Sequence, residues 1–156
     1  MKKITILVPA YNEEENIERV VKNIINNYGQ FDYIVVNDGS KDSTVQVCRE
    51  NCYPFLDLST NLGLAGAFQA GMKYAYRHNY DCAIQFDADG QHLPEYIEPL
   101  IEAIKENDIA IGSRFVNEKK PRSMRISAIP PWRAVRARSS RSSIIRSDTA
   151  PTRSWT

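Results

Sequence analysis

The feature that most constrains this chain is a repeated alternation. Short apolar runs rich in β-branched residues are each followed by a segment with a helical apolar stripe. ITILVPA (4–10), FDYIVVND (31–38), YPFLDLS (53–59), CAIQFD (82–87) and DIAIGS (108–113) read as strands. Between them, Ile17, Val20, Val21, Ile24 and Ile25 keep a helical stripe. Further helices are expected over about 42–51, over Leu64–His78 and from Pro94 to about Asn107. The small residues Ala65, Gly66, Ala67, Ala70 and Gly71 suit a helix packed closely on a sheet. Asn12 is placed to cap the first helix, with Glu15 reaching back from its third position. Such alternation implies an α/β fold: a mostly parallel sheet joined by crossover helices. Strand interiors that are apolar throughout imply helices on both faces.

Sheets of this kind bind ligands beyond the carboxyl ends of their strands. Polar residues collect at those ends. Tyr11, Asn12 and Glu13 follow the first strand, Asp38 closes the second, Asp87 and Asp89 close the fourth, and Ser113 and Arg114 close the fifth. Any one of these suits a turn or a cap; four groups on one rim suggest a site. Asp87 and Asp89 stand one residue apart in QFDADGQH, so on extended backbone they point the same way. Their mutual repulsion is relieved by a divalent cation. Hard oxygen donors suit Mg2+ or Mn2+, and two carboxylates suit a metal completed by water and a substrate diphosphate. Gln91 offers a third oxygen and Gly90 lets the backbone turn. The alternative is a polar turn with Asp89 capping nearby backbone. Arg114 is a candidate bidentate phosphate ligand or a surface Arg paired with one of many acids. Asp38 is either a turn residue or an acceptor of hydrogen bonds from a nucleobase or ribose.

Composition changes along the chain. The net charge of +1 hides 12 Lys and Arg against 18 acids in residues 1–120, then eight Arg and one acid in 121–156. All eight Tyr lie before residue 97. Two segments are expected: 1–125, and an Arg/Ser/Pro-rich tail, 126–156, without sustained period and too apolar-poor for a second core. Disorder, a shifted reading frame or a foreign end would each give such a tail. A basic Arg/Ser tract can bind RNA or anionic lipid, but no nucleic-acid partner is expected. The three cysteines form no CxxC pair and read as buried free thiols in a reducing cytosol. No apolar run reaches 18 residues, so any membrane contact is expected to be peripheral.

VPAYNEEENI (8–17), VNDGSKDST (36–44), NLGLAGAFQAGMKYA (61–75), FDADGQH (86–92) and IGSRF (111–115) resemble, in order and spacing, the family 2 glycosyltransferases. The likeness is to the dolichol- and polyprenyl-phosphate sugar transferase branch, over about residues 3–125. It implies the GT-A fold, a nucleotide diphosphate sugar donor linked to UDP or GDP, a divalent metal, and inversion at the anomeric carbon. It implies that Pro9, Tyr11, Glu13, Val36 and Asp38 line the nucleoside pocket. Asp87, Ala88 and Asp89 then form the sugar-nucleotide and metal motif, Gln91 assists the metal, and Arg114 holds the diphosphate. Asn37 stands where the family often has Asp. The implied acceptor is a polyprenyl phosphate at the inner membrane surface, or a growing glycan, and the implied location is cytoplasmic. No stretch in 126–156 resembles the family's acceptor side, so the sequence names no catalytic base. A nucleotide-sugar-binding module without transfer activity is the alternative expectation. Uncovered sheet edges would also permit dimerisation.

Overall fold

The computed structural model of the protein describes residues 3–89, 97–113, 125–129 and 142–146. Strands β1 (Ile4–Ala10), β2 (Asp32–Asn37), β3 (Phe55–Asp57), β4 (Cys82–Gln85) and β5 (Ile109–Ser113) alternate with helices α1 (Ile17–Tyr28), α2 (Thr44–Glu50), α3 (Gly63–Arg77) and α4 (Ile97–Ala103). β6 (Arg125–Ile129) and β7 (Ser142–Arg146) follow. The sheet order is β3-β2-β1-β4-β6-β5-β7. β1 pairs in parallel with β2 and with β4, and β2 with β3. β6 is antiparallel to both β4 and β5, and β5 is parallel to β7.

All seven residues of β1 are buried, as a strand covered on both faces requires. The two-residue period divides them. Ile4, Ile6, Val8 and Ala10 join Ile17, Val20, Val21 and Ile24 of α1 and Ile97 and Leu100 of α4 in one apolar cluster. Leu7 lies on the opposite face with Ile34, Ala83, Met72 and Ala75, beneath α3. A Cβ on Gly71 would lie 3.0 Å from Leu7 Cδ1 and 3.3 Å from Val36 Cγ2, so this small residue lets α3 approach the sheet.

Four differences from the sequence reading have physical causes. α1 starts at Ile17, a turn later than expected, with Asn16 at its N-cap. Asn12 instead adopts a left-handed conformation, φ 55°, and its Oδ1 accepts the Lys41 N–H at 2.9 Å. A tertiary hydrogen bond has replaced the local cap. Second, parallel pairing is interrupted, because β6 is inserted between β4 and β5 and runs antiparallel to both. Third, β6 and β7 fall in and beside the segment where no regular element is expected. Their RISAI and SSIIR stretches are short, and their backbone partners, β4 and β5 for β6 and β5 for β7, are not revealed by single-chain periodicity. Fourth, Cys48 and Cys82 are buried but Cys52 is exposed. Cys52 stands just past the end of α2, with φ 56°.

Candidate functional site

Parallel pairing carries the ends of β2, β1 and β4 to one rim. Ala10 pairs with Asn37 and Leu7 with Gln85, so the residues that follow each strand emerge side by side. The carbonyls of β1 hold both neighbours. Ala10 O accepts the Asp38 N–H at 2.9 Å and Pro9 O accepts the Ala88 N–H at 3.3 Å. Asp38 and the Asp87–Asp89 segment therefore flank the end of β1 on its two sides.

Asp38 is only 3 % exposed. Its Oδ1 accepts the Leu62 N–H at 2.7 Å, which ties the end of β2 to the start of α3. Gly39 follows at φ +66°, and a Cβ there would lie 2.7 Å from the backbone carbon of Thr60. Glycine is therefore required for the turn and for the close passage of the β3–α3 loop.

The loops after β1 and β2 are joined by five hydrogen bonds. Asn12 N donates to Ser40 Oγ at 3.0 Å, and Lys41 N to Asn12 Oδ1. Glu13 N donates to Thr44 Oγ1 at 2.8 Å, Glu14 N to Asp42 Oδ2 at 3.1 Å, and Ser43 N to Glu14 Oε2 at 2.8 Å. Burial works to raise the Asp42 carboxyl, but hydrogen bonds from the Thr44 hydroxyl and from the Thr44 and Glu14 amides outweigh it and hold the group below its usual range. This pairing holds half-buried Glu13 and the backbone next to Tyr11, a residue 41 % exposed, on the rim. Glu13 Oε2 accepts from Asn16 Nδ2 at 2.9 Å.

At the end of β4, Asp87 is half-buried, Ala88 buried and Asp89 exposed. Buried Gln85 donates from Nε2 to Asp87 Oδ1 at 2.8 Å. Two hard oxygen donors at a strand end suit a cation that completes its shell with water and ligand oxygens. Among the described residues no group of three His, Cys, Asp or Glu side chains forms a metal cage. Asp87 and Asp89 thus fit a cation that is bound together with a substrate.

Of the other residues expected to contact the donor, Pro9 is buried within β1. Val36 is also fully buried, with its side chain in the core beneath α3. Gln91 and Arg114 lie outside the described residues. A depression of about 410 Å3 is lined by Asn12, Glu14, Glu15, Asn16, Lys41 and Asp42. It contains none of the expected donor residues and is too acidic to suit a diphosphate, so the candidate site is the rim formed by the strand ends. Sequence reasoning missed Gln85, Ser40 and Thr44. A polar residue inside a buried strand was the available signal for Gln85, and the Asp-x-Thr spacing was the signal for the capped α2 start.

The model of the family described as glycosyl transferase family 2 matches residues 5–151. The UDP-N-acetylglucosamine--dolichyl-phosphate N-acetylglucosaminyltransferase of Methanococcus voltae is 34 % identical over 142 residues, covering 79 % of this chain and 56 % of the relative. The dolichol-phosphate mannosyltransferase of Pyrococcus furiosus is 40 % identical over 125 residues, 76 % of this chain and 35 % of the relative. The chain spans about half the length of the first curated relatives it matches. Among solved structures, glucosyl-3-phosphoglycerate synthase from Mycobacterium tuberculosis, in complex with Mn2+, UDP and phosphoglyceric acid, superposes with TM-score 0.67 at 16 % identity. That match covers 84 % of this chain and 56 % of the synthase. S. aureus TarS 1-349 in complex with UDP-GlcNAc superposes with TM-score 0.59 at 23 % identity, covering 80 % of this chain and 38 % of TarS. At these identities the superpositions show a shared fold, that of the GT-A glycosyltransferases.

Proposed function

The chain belongs to glycosyl transferase family 2, and from that premise we propose that it moves a sugar from a UDP- or GDP-linked donor to a polyprenyl phosphate, with inversion and with Mg2+ or Mn2+. The observation that carries the reading is the placement of Asp38 and of the Asp87–Asp89 segment on the two sides of the β1 end. The named activities of the relatives on dolichyl phosphate support the acceptor class. The Mn2+ and UDP bound by the structural neighbour support the metal and the donor.

In this reading residues 1–125 carry the donor site, and 126–156 differ in composition although β6 and β7 join the same sheet. Tyr11 and Glu13, on the rim, border the nucleoside, and Asp38 accepts hydrogen bonds from base or ribose. Asp87 and Asp89, with Gln91, hold the metal, which when bound supplies positive charge against the diphosphate. Arg114 grips the same diphosphate. An acceptor phosphate oxygen attacks the anomeric carbon from the face opposite the leaving group. The new bond joins that oxygen to the sugar, and the bond to the β-phosphate breaks, releasing the nucleoside diphosphate. The acceptor is already anionic, so it needs little help from a base. Among the described residues no helix is long and apolar enough to cross a membrane. A polyprenyl phosphate acceptor would be met at a membrane surface, which we take to be its cytoplasmic face.

Calorimetric titration with UDP and GDP, with and without Mn2+, tests the donor half. Binding should require Mn2+ and should be lost in Asp89→Ala. Metal-independent binding unaffected by that substitution would overturn the metal assignment. Incubation with the matching nucleotide sugar and a polyprenyl phosphate should yield the glycosyl lipid by mass spectrometry. Donor binding without any glycosyl lipid would leave a nucleotide-sugar-binding module.

A further inference from the structure

Asn37 ends β2 and is only 1 % exposed, and both ends of its amide are engaged. Nδ2 donates to Asp57 Oδ1 at 2.7 Å, at the end of edge strand β3. Oδ1 accepts the Ser40 N–H at 3.3 Å, in the turn beyond Asp38. Ser40 Oγ in turn accepts the Asn12 N–H at 3.0 Å. A hydrogen-bonded chain therefore runs Asp57, Asn37, Ser40, Asn12, from the sheet edge to the loop after β1. Asp38, next to Asn37 in sequence, is enclosed by it.

The polarity of this chain requires an amide. One end of the Asn37 side chain must donate to a carboxylate and the other must accept an N–H. An ionised aspartate at 37 could serve Ser40 but would present a second carboxylate to Asp57 at hydrogen-bonding distance. The cation near Asp57 is Arg49, with Nη2 3.9 Å from Oδ2 on an exposed flank, and it does not reach between the two groups. An apolar residue would leave the Ser40 N–H without its acceptor and Asp57 without its donor.

We infer that Asn37 is a positioning residue for the donor site. Through Asp57 and Ser40 it fixes the turn that presents Asp38 and the register of the loop that presents Tyr11 and Glu13. This rests on the donor-binding reading above. It also makes residues 37 and 57 a coupled pair. Exchanging the two side chains, by Asn37→Asp together with Asp57→Asn, preserves both hydrogen bonds of residue 37 and gives up only the exposed 3.9 Å ion pair of Asp57 with Arg49. The amide then stands at 57 and donates, and the carboxylate at 37 accepts from both sides.

Four proteins test it: wild type, Asn37→Asp, Asp57→Asn and the double variant. The probe is UDP or GDP with Mn2+, whichever the wild type binds, by calorimetry. Asn37→Asp should weaken binding about tenfold, with Asp57→Asn and the double variant within about threefold of wild type. The amide exchange of Ser40 and Leu62 reads the same coupling without ligand. Both should exchange faster in Asn37→Asp and recover in the double variant. Unchanged affinity in a folded Asn37→Asp, even with lowered stability, would overturn the positioning role. So would a double variant as weak as Asn37→Asp, or exchange at Ser40 and Leu62 that ignores the substitution. A wild type that binds neither nucleotide overturns the donor reading itself, and the positioning role with it. Normal exchange coupling beside that result would leave a purely structural pair.

Discussion

The Asp38 carboxylate accepts the backbone N–H of Leu62 at 2.7 Å, across 24 residues of sequence. One side chain thus closes strand β2, opens helix α3 and stands on the rim where the donor is proposed to bind.

Asp38→Ala should cost about 1–3 kcal/mol, because the Leu62 N–H loses its acceptor in a part-buried setting. Asp38→Asn keeps an acceptor oxygen and should cost under about 1 kcal/mol. Urea unfolding of the two variants separates these values. Equal losses would show that the Leu62 bond is not what the carboxylate contributes.

Gly39→Ala should destabilise the protein by about 2 kcal/mol or more, since it combines a left-handed backbone with a clash. The added Cβ would meet the Thr60 backbone carbon at 2.7 Å and the Asn61 nitrogen at 2.8 Å. Gly63→Ala is the control. It shares a positive φ, +75°, but its Cβ would meet nothing within 4 Å. Thermal melts should rank Gly39→Ala well below Gly63→Ala.

Gln85→Met removes the donor to Asp87 while nearly keeping volume. If Asp87 holds the metal, Mn2+-dependent nucleotide affinity should fall roughly tenfold, as for other groups that orient a metal ligand. The unfolding midpoint should move little. Calorimetry at several Mn2+ concentrations checks it, and unchanged metal dependence would remove Gln85 from the site.

Asp42 gives the paired loops an acid limit. Its carboxyl lies below the ordinary value of 3.8 in the folded protein. Its stabilising contribution is therefore complete above about pH 4 and is lost as pH falls through the lower folded value. Between pH 4 and 3 the melting temperature of wild type should drop more steeply than that of Asp42→Ala. Parallel curves would show that other carboxylates set the acid limb.

The thiols should divide by exposure. Cys52 is exposed, whereas Cys48 and Cys82 are buried, and burial pushes the Cys48 thiol up to about 11. At pH 8 a disulfide reagent should modify one thiol quickly in native protein and three after denaturation.

The elements β1 to β5 and α1 to α4 were legible because each carries its own pattern. ILV and YIVV need cover on both faces, and Ile17 to Ile24 make a stripe. Boundaries were less legible where a distant partner intervened. Asn12 satisfies the local rule for a helix cap, yet it bonds to Lys41, 29 residues away, and the helix begins at Ile17. The position of β5 was not legible either, because the insertion of β6 depends on which edges pair and not on the pattern of either strand.

The candidate site divides in the same way. Local pattern alone puts Asp38, Asp87 and Asp89 after strands, since they follow apolar runs whose direction is fixed by the alternation. That β2, β1 and β4 are neighbours, that Val36 faces the core, and that Gln85, Asn37 and Thr44 hold the rim in place emerges from the assembled sheet and its loops. The reason is physical. Apolar periodicity is a property of consecutive residues, whereas a hydrogen bond between loops depends on which strands pair and in what register, and neither is encoded within the few residues that make the bond.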